Sequence, residues 1–210
     1  AYRVDKFKTL GWQPKDWKDL WRPELEGNIS LLNQPREVIG LTLKKLGKSY
    51  NTKNIDQVEN LKSELEKLNK QVKFYSSDNY LQPLTIGDTW LAVGWSNDIL
   101  PLLKKRKEIA AILPQSGTAL WANLWVEPTD SAKTDLTEKW IDFCWQPQIA
   151  KQMSLLTQAS SPVLLGINNN PLLFPPKKII EKSEFLAPLA NTTIEKYRNL
   201  WQAIRQPIKS

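Results

Sequence analysis

Histidine is absent from the chain, and cysteine occurs once, at Cys144. Zinc sites built on His or Cys, Ser-His-Asp triads and Cys-His dyads need residues that are missing, and no intrachain disulfide can form. Glycine is scarce, with eight residues, and neither G-x-G-x-x-G nor G-x-x-x-x-G-K-[ST] occurs. The standard phosphate-cradling loops are therefore excluded. No apolar run reaches the ~18 residues that a membrane-spanning helix needs. No secretory leader is read, and Ala1-Tyr2-Arg3-Val4 reads as a strand already under way, which sets the expectation of a fragment or processed product. These gaps favour a binding protein without a cofactor over an enzyme.

Charge and tryptophan are abundant instead. Twenty-nine basic residues against 22 acidic ones give a net charge of +7 over 210 residues. The lysines are spread along the chain, and the one short run, Lys104-Lys105-Arg106-Lys107, reads as a solvated face. Ten tryptophans are several times ordinary usage, and such rings fill a core or line a cleft that grips a flat or cationic ligand. Most are expected in the core. Cys144, among Trp140, Phe143 and Trp145, reads as a buried inert thiol.

Strands and helices alternate through the first half. Asn28–Leu32 reads as a strand, and Pro35–Leu46 as a helix with Pro at its start, Gly47 past its end, and Ile39, Thr42, Leu43 and Leu46 on its apolar face. Helices follow over Ile55–Lys70, Tyr80–Ile86 and Asp98–Lys107, and a short one over Pro14–Trp21. Strands are read over Val72–Tyr75, Thr89–Trp95 and Ile109–Leu113. This alternation predicts an α/β fold with a mainly parallel sheet. Further on, Thr118–Val126 reads as a long strand and Thr134–Gln158 as a helix bent near Pro147. Ser160–Asn170 reads as a loop, and Pro175-Pro176 opens a helix through Lys182. A capping box, Thr192-x-x-Glu195, starts a last helix whose stripe is Ile194, Tyr197, Trp201 and Ile204.

Ligands of open α/β sheets sit outside the carboxyl ends of strands, near helix N-termini. Three such ends are readable: Asn33 to Glu37, Trp95 to Asp98, and Trp121-Ala122-Asn123 on a strand that crosses between lobes. Around one point they would gather a carboxylate, two indoles and several amides. Indole faces attract ammonium groups by ~0.5–2 kcal/mol each. A carboxylate adds a charge-assisted hydrogen bond of about 1.5–3 kcal/mol. Each residue has a plainer reading too. Glu37 suits a helix first turn, Trp95 suits a core, and Arg36 suits a salt bridge or helix contact.

The ordered series Lys18-Asp19-Leu20-Trp21-Arg22-Pro23-Glu24-Leu25-Glu26-Gly27, Pro35-Arg36-Glu37-Val38, Leu43-x-x-Leu46-Gly47-x-Ser49-x-Asn51-Thr52 and Gly94-Trp95-Ser96 resembles the periplasmic spermidine/putrescine-binding proteins. Pro114 to Pro128, Trp140-Ile141-Asp142-Phe143, Pro147 and Tyr197-x-x-Leu200-Trp201 extend the resemblance over nearly the whole chain. It implies a two-lobed, type II extracellular solute-binding receptor of an ABC importer. It places ligand contacts at Gln34, Glu37, Trp95, Trp121 and Asn123. Gln34 and Asn123 stand where the polyamine binders carry aspartates, Ala159 where an aromatic ring is typical, and Leu186 where a polar side chain is.

The same resemblance implies that 1–121 forms the second lobe, 122–167 belongs to the first, and 168–210 returns to the second. The N-terminal segment of the first lobe would then be absent. Trp140, Phe143 and Trp145 would lack their sheet, so self-association of the fragment is expected. The expected partners are an amine or polyamine ligand and an inner-membrane permease, in the periplasm, with no nucleic acid. The main rival is a carbohydrate-binding protein that stacks tryptophans on sugar rings. Electrostatic attachment to nucleic acid and an acid pair of Glu37 with Asp98 are weaker readings.

Overall fold

The computed structural model describes residues 1–130, 134–164 and 170–205. Its frame is a five-stranded sheet in the order β3-β2-β4-β1-β5, where β1 is Tyr2–Arg3, β2 Ile29–Leu31, β3 Val72–Tyr75, β4 Leu91–Ala92 and β5 Ile109–Ala110. The three strands that begin that order run parallel, β2 pairing with both β3 and β4. β1 is antiparallel to both its neighbours, so the sheet is mixed rather than mainly parallel. The cause is long-range pairing, of Tyr2 with both Leu91 and Ala110. Helix α1, Val4–Leu10, starts directly after β1 and stops at Gly11 (φ 76°). A seven-residue helix with one buried side chain, Phe7, carries too little periodicity to be read from sequence.

Helix α2, Pro35–Lys45, buries Val38, Ile39, Thr42 and Leu43 against the main core, with Gly47 left-handed just past its end. The predicted Ile55–Lys70 helix divides. A 3₁₀ turn, Ile55–Gln57, is separated from α3, Leu61–Gln71, by Asn60 in the left-handed region. Two lysines hold Glu64 of α3, Lys67 at 2.7 Å and Lys45 from α2. Burial pushes its carboxyl up, but those partners outweigh it and the pKa is lowered. Helix α4 is Gln82–Ile86 and α5 is Ser96–Lys105. The run that follows the α5 core turns, Lys104 to Lys107, is exposed, as read.

Beyond the sheet, β6, Ala119–Leu120, pairs in parallel with β7, Glu184–Phe185. The expected strand to Val126 therefore ends six residues early. Its partner is consumed by Asn51, whose side chain donates to Phe185 O at 2.9 Å and accepts from Ala187 N at 2.8 Å. Helices α6, Thr134–Trp145, and α7, Pro147–Thr157, meet at the predicted bend, with Pro147 opening α7. Helix α8 is Lys177–Ile180. The loop read over 160–170 includes a 3₁₀ turn at Pro162–Leu164 and lies in part outside the described residues.

Helix α9, Asn191–Arg205, packs on α2 and α3. It begins one residue before Thr192, which is thus inside the first turn and is not the cap. Thr193, Tyr197, Trp201 and Ile204 are buried, and Ile194 faces out. The tryptophans divide. Trp201 is buried and Trp12, Trp17, Trp21, Trp90 and Trp95 pack half-buried on core clusters, whereas Trp121, Trp125, Trp140 and Trp145 are exposed. Cys144 is buried and unpaired, while its neighbours Phe143 and Trp145 are exposed.

Candidate functional site

β2 and β4 are adjacent and parallel, so their carboxyl ends open side by side. Leu31 leads through Gln34 into α2, and Pro35 at the first helical position puts Glu37 in the first turn. β4 runs out where β2 leaves the sheet, and Trp95, extended at φ −83° and ψ 144°, caps α5. Sequence reading carried that strand through Trp95. The ladder ends instead at Val93, whose N–H still reaches Ser30 O at 3.1 Å.

The third contributor arrives from far away in sequence. Trp17 Nε1 donates to Gly117 O at 2.8 Å, and Asp16 Oδ1 accepts from Ser116 Oγ at 2.5 Å. Gly117 has φ +85°, and a Cβ there would sit 2.1 Å from Lys182 O, so glycine is required. This clamp fixes the start of β6. One residue past its end, Trp121 reaches α2.

Two indole N–H groups converge on Glu37. Trp121 Nε1 donates to Oε1 at 2.8 Å, and Trp95 Nε1 donates to the same oxygen at 3.4 Å. No protein donor is bonded to Oε2 among the described residues. Burial pushes the Glu37 carboxyl above its ordinary value of 4.5, against the pull of the two indoles and Arg36. Arg36 itself is turned away, its Nη2 donating to Asn51 Oδ1 at 2.9 Å. The carboxylate is thus partly stripped of water and incompletely paired, a state that a cation would relieve.

Of the five residues singled out from sequence, the structure joins Glu37, Trp95 and Trp121. Gln34 and Asn123 are exposed, and no hydrogen bond links them to the trio among the described residues. Trp121 and Asn123 lie past the end of β6, because that strand stops at Leu120. Asp98 is no acid partner of Glu37. Its Oδ2 accepts from the Tyr80 hydroxyl at 2.8 Å. Tyr80 is the residue that sequence reasoning missed, since nothing in a lone tyrosine before a short helix marks it.

Residues 1–185 match the family described as bacterial extracellular solute-binding protein. The chain belongs to this family. Among relatives of this solute-binding chain, the spermidine/putrescine-binding periplasmic protein of Escherichia coli K12 is 28% identical over 176 residues, 80% of this chain and 51% of the relative. The spermidine/putrescine-binding periplasmic protein 1 of Haemophilus influenzae is 23% identical over 212 residues, 98% of this chain and 58% of the relative. The solute-binding chain spans about half the length of the E. coli relative it matches. The spermidine/putrescine ABC transporter substrate-binding protein PotD of Streptococcus pneumoniae superposes with a TM-score of 0.86 at 24% identity, covering 98% of this chain and 66% of that one. That likeness establishes the α/β periplasmic-binding-protein fold. The carbohydrate reading gains no support from these relatives.

The raised Glu37 pKa gives this cluster a signature in pH. A carboxyl held above its unfolded value keeps its proton longer in the folded chain, so ionising it lowers stability as pH rises through that window. Stability is therefore expected to fall as pH rises from 4.5 until Glu37 has ionised and then to level off, a slope that Glu37→Gln removes. Thermal melts of the chain and of Glu37→Gln across that range check this, and identical pH profiles contradict it.

Proposed function

We propose that this chain captures an amine-bearing solute in the periplasm and delivers it to an ABC permease, as part of a polyamine-type receptor. Glu37 pairs with the ammonium between Trp95 and Trp121. The observation that carries this reading is the convergence of two indole N–H groups, from 58 and 84 residues away, on one desolvated carboxylate. Capture needs no covalent step.

In this reading 1–121 is the second lobe, 122–167 belongs to the first, and 168–210 crosses back. The packing of α9 on α2 and α3, and the hold of Asn51 on 185–187, support the return. The boundary at 167 itself lies outside the described residues. Closing the lobes desolvates the ligand against the indoles, and its binding energy selects the closed form. Helix α7 has its own contacts. Leu100 of α5 forms a buried cluster with Ala150, Leu164, Leu173 and Phe174.

The neutral Gln34 and Asn123 narrow the ligand class. Each missing charged partner forfeits on the order of 1.5–3 kcal/mol, about tenfold or more in affinity. The site offers one carboxylate in a chain of net charge +7. The preferred ligand is then less cationic than spermidine, or spermidine is held weakly. Tryptophan fluorescence titrations with spermidine, putrescine and a monoamine test both parts. Submicromolar spermidine binding overturns the narrowed class, and failure to bind any amine overturns the function.

A further inference from the structure

We propose that Tyr80 is a positioning residue: its hydroxyl fixes the backbone of Trp95 and so sets where that indole meets Glu37. The inference rests on the ligand site proposed above. Tyr80 precedes α4 and is almost completely buried, 2% exposed. Its hydroxyl stands between two groups. It donates to Asp98 Oδ2 at 2.8 Å and accepts from Trp95 N at 3.1 Å. The Tyr80 and Trp95 rings meet edge to face, with centroids 6.2 Å apart and planes at 86°. Asp98 lies in the first turn of α5, the helix that Trp95 caps. One hydroxyl therefore ties the cap residue and the first turn of the same helix together.

The other end of Tyr80 is held by the neighbouring strand. Ser30 Oγ, on β2, bonds Tyr80 O at 2.7 Å, and Thr89 Oγ1 lies 3.3 Å from the same Ser30 oxygen. Ser30 and Thr89 are fully buried. β2 is the strand that feeds Glu37. Tyr80 thus spans from the strand behind Glu37 to the backbone of Trp95, and the two partners of the ligand site are spaced through it. Gly94 belongs to the same device. A Cβ there would lie 1.8 Å from Tyr80 Cε2 and 2.3 Å from Cζ. Any side chain at 94 displaces the ring, which gives the Gly94-Trp95-Ser96 run a steric reason.

A merely structural tyrosine would show itself in stability alone, so the test reads Trp95 directly. The full chain is labelled with 5-fluorotryptophan, and the Trp95 fluorine resonance is assigned by its loss in Trp95→Phe. In Tyr80→Phe the ring remains but Trp95 N loses its acceptor. The Trp95 resonance is expected to shift or broaden, putrescine affinity to fall about tenfold, and the melting temperature to fall by a few degrees. Asp98→Ala is expected to move the same resonance, whereas Asp98→Asn, which still accepts from the hydroxyl, is expected to restore it. An unmoved Trp95 resonance in both Tyr80→Phe and Asp98→Ala overturns the proposal. If the unsubstituted chain does not bind putrescine, the ligand reading fails, and the fluorine resonance alone decides the role of Tyr80.

Discussion

Replacing Glu37 with glutamine is expected to weaken amine binding by about 10- to 100-fold while leaving the chain folded. Glutamine keeps the shape of glutamate, and its carbonyl oxygen can accept from Trp121 Nε1, now 2.8 Å from Oε1. What disappears is the charge. A hydrogen bond to an ionised group is worth about 1.5–3 kcal/mol, and each 1.4 kcal/mol is about tenfold. Both indoles occupy Oε1, so the other oxygen is the one an ammonium would take. Stability moves the opposite way. Burial disfavours the Glu37 carboxylate, so the neutral amide is expected to leave the melting temperature unchanged or slightly higher near neutral pH. Any rise of putrescine affinity with pH through the Glu37 titration should vanish with it. Isothermal titration of the substituted chain decides, and unaltered affinity would remove Glu37 from the site.

The parts of this site that were legible in sequence are those governed by local rules. Pro35 fixes a helix start, so Glu37 falls in the first turn. The junction of a buried strand with a helix places Trp95 at a carboxyl end. Trp121 was read as the end of a third strand, but that strand stops at Leu120. Its position depends on Asp16 and Trp17 gripping Ser116 and Gly117, 100 residues away, and on Asn51 ending the β7 edge. No periodicity encodes such contacts. Strand direction is equally non-local. Tyr2 pairs with both Leu91 and Ala110, and nothing in Ala1 to Val4 specifies that both pairings are antiparallel. At α9 a local rule misled, because Thr192 and Glu195 have capping-box spacing while the helix already starts at Asn191. Tyr80 lay beyond any of these rules, since its role is made by Ser30, Gly94 and Asp98 meeting in space.

A second large effect is expected at Gly40, in the middle of α2. By helix propensity alone, alanine there should stabilise the chain by roughly 1 kcal/mol. Packing opposes this. A Cβ at position 40 would lie 2.1 Å from Tyr50 Cδ1 and 2.5 Å from Cε1, and Tyr50 is 1% exposed. That contact falls on the ring itself, so relief requires a shift of the helix or of the tyrosine. Overpacking of this kind costs about 1–3 kcal/mol, occasionally more. The steric term outweighs the propensity term, and Gly40→Ala is expected to lower the melting temperature by several degrees, at about 2–4 °C per kcal/mol for a chain of this size. Gly40 lies one turn beyond Glu37, so a displaced α2 also carries the carboxylate away from the indoles. Affinity for putrescine should fall together with stability. Tyr50→Leu in the same chain makes room for the added methyl, and the double variant is expected to recover part of the loss that Gly40→Ala causes alone. Thermal melts and amine titrations of the single and double variants measure this coupling. Additive effects, or a Gly40→Ala chain more stable than the original, would show that α2 does not rest on Tyr50.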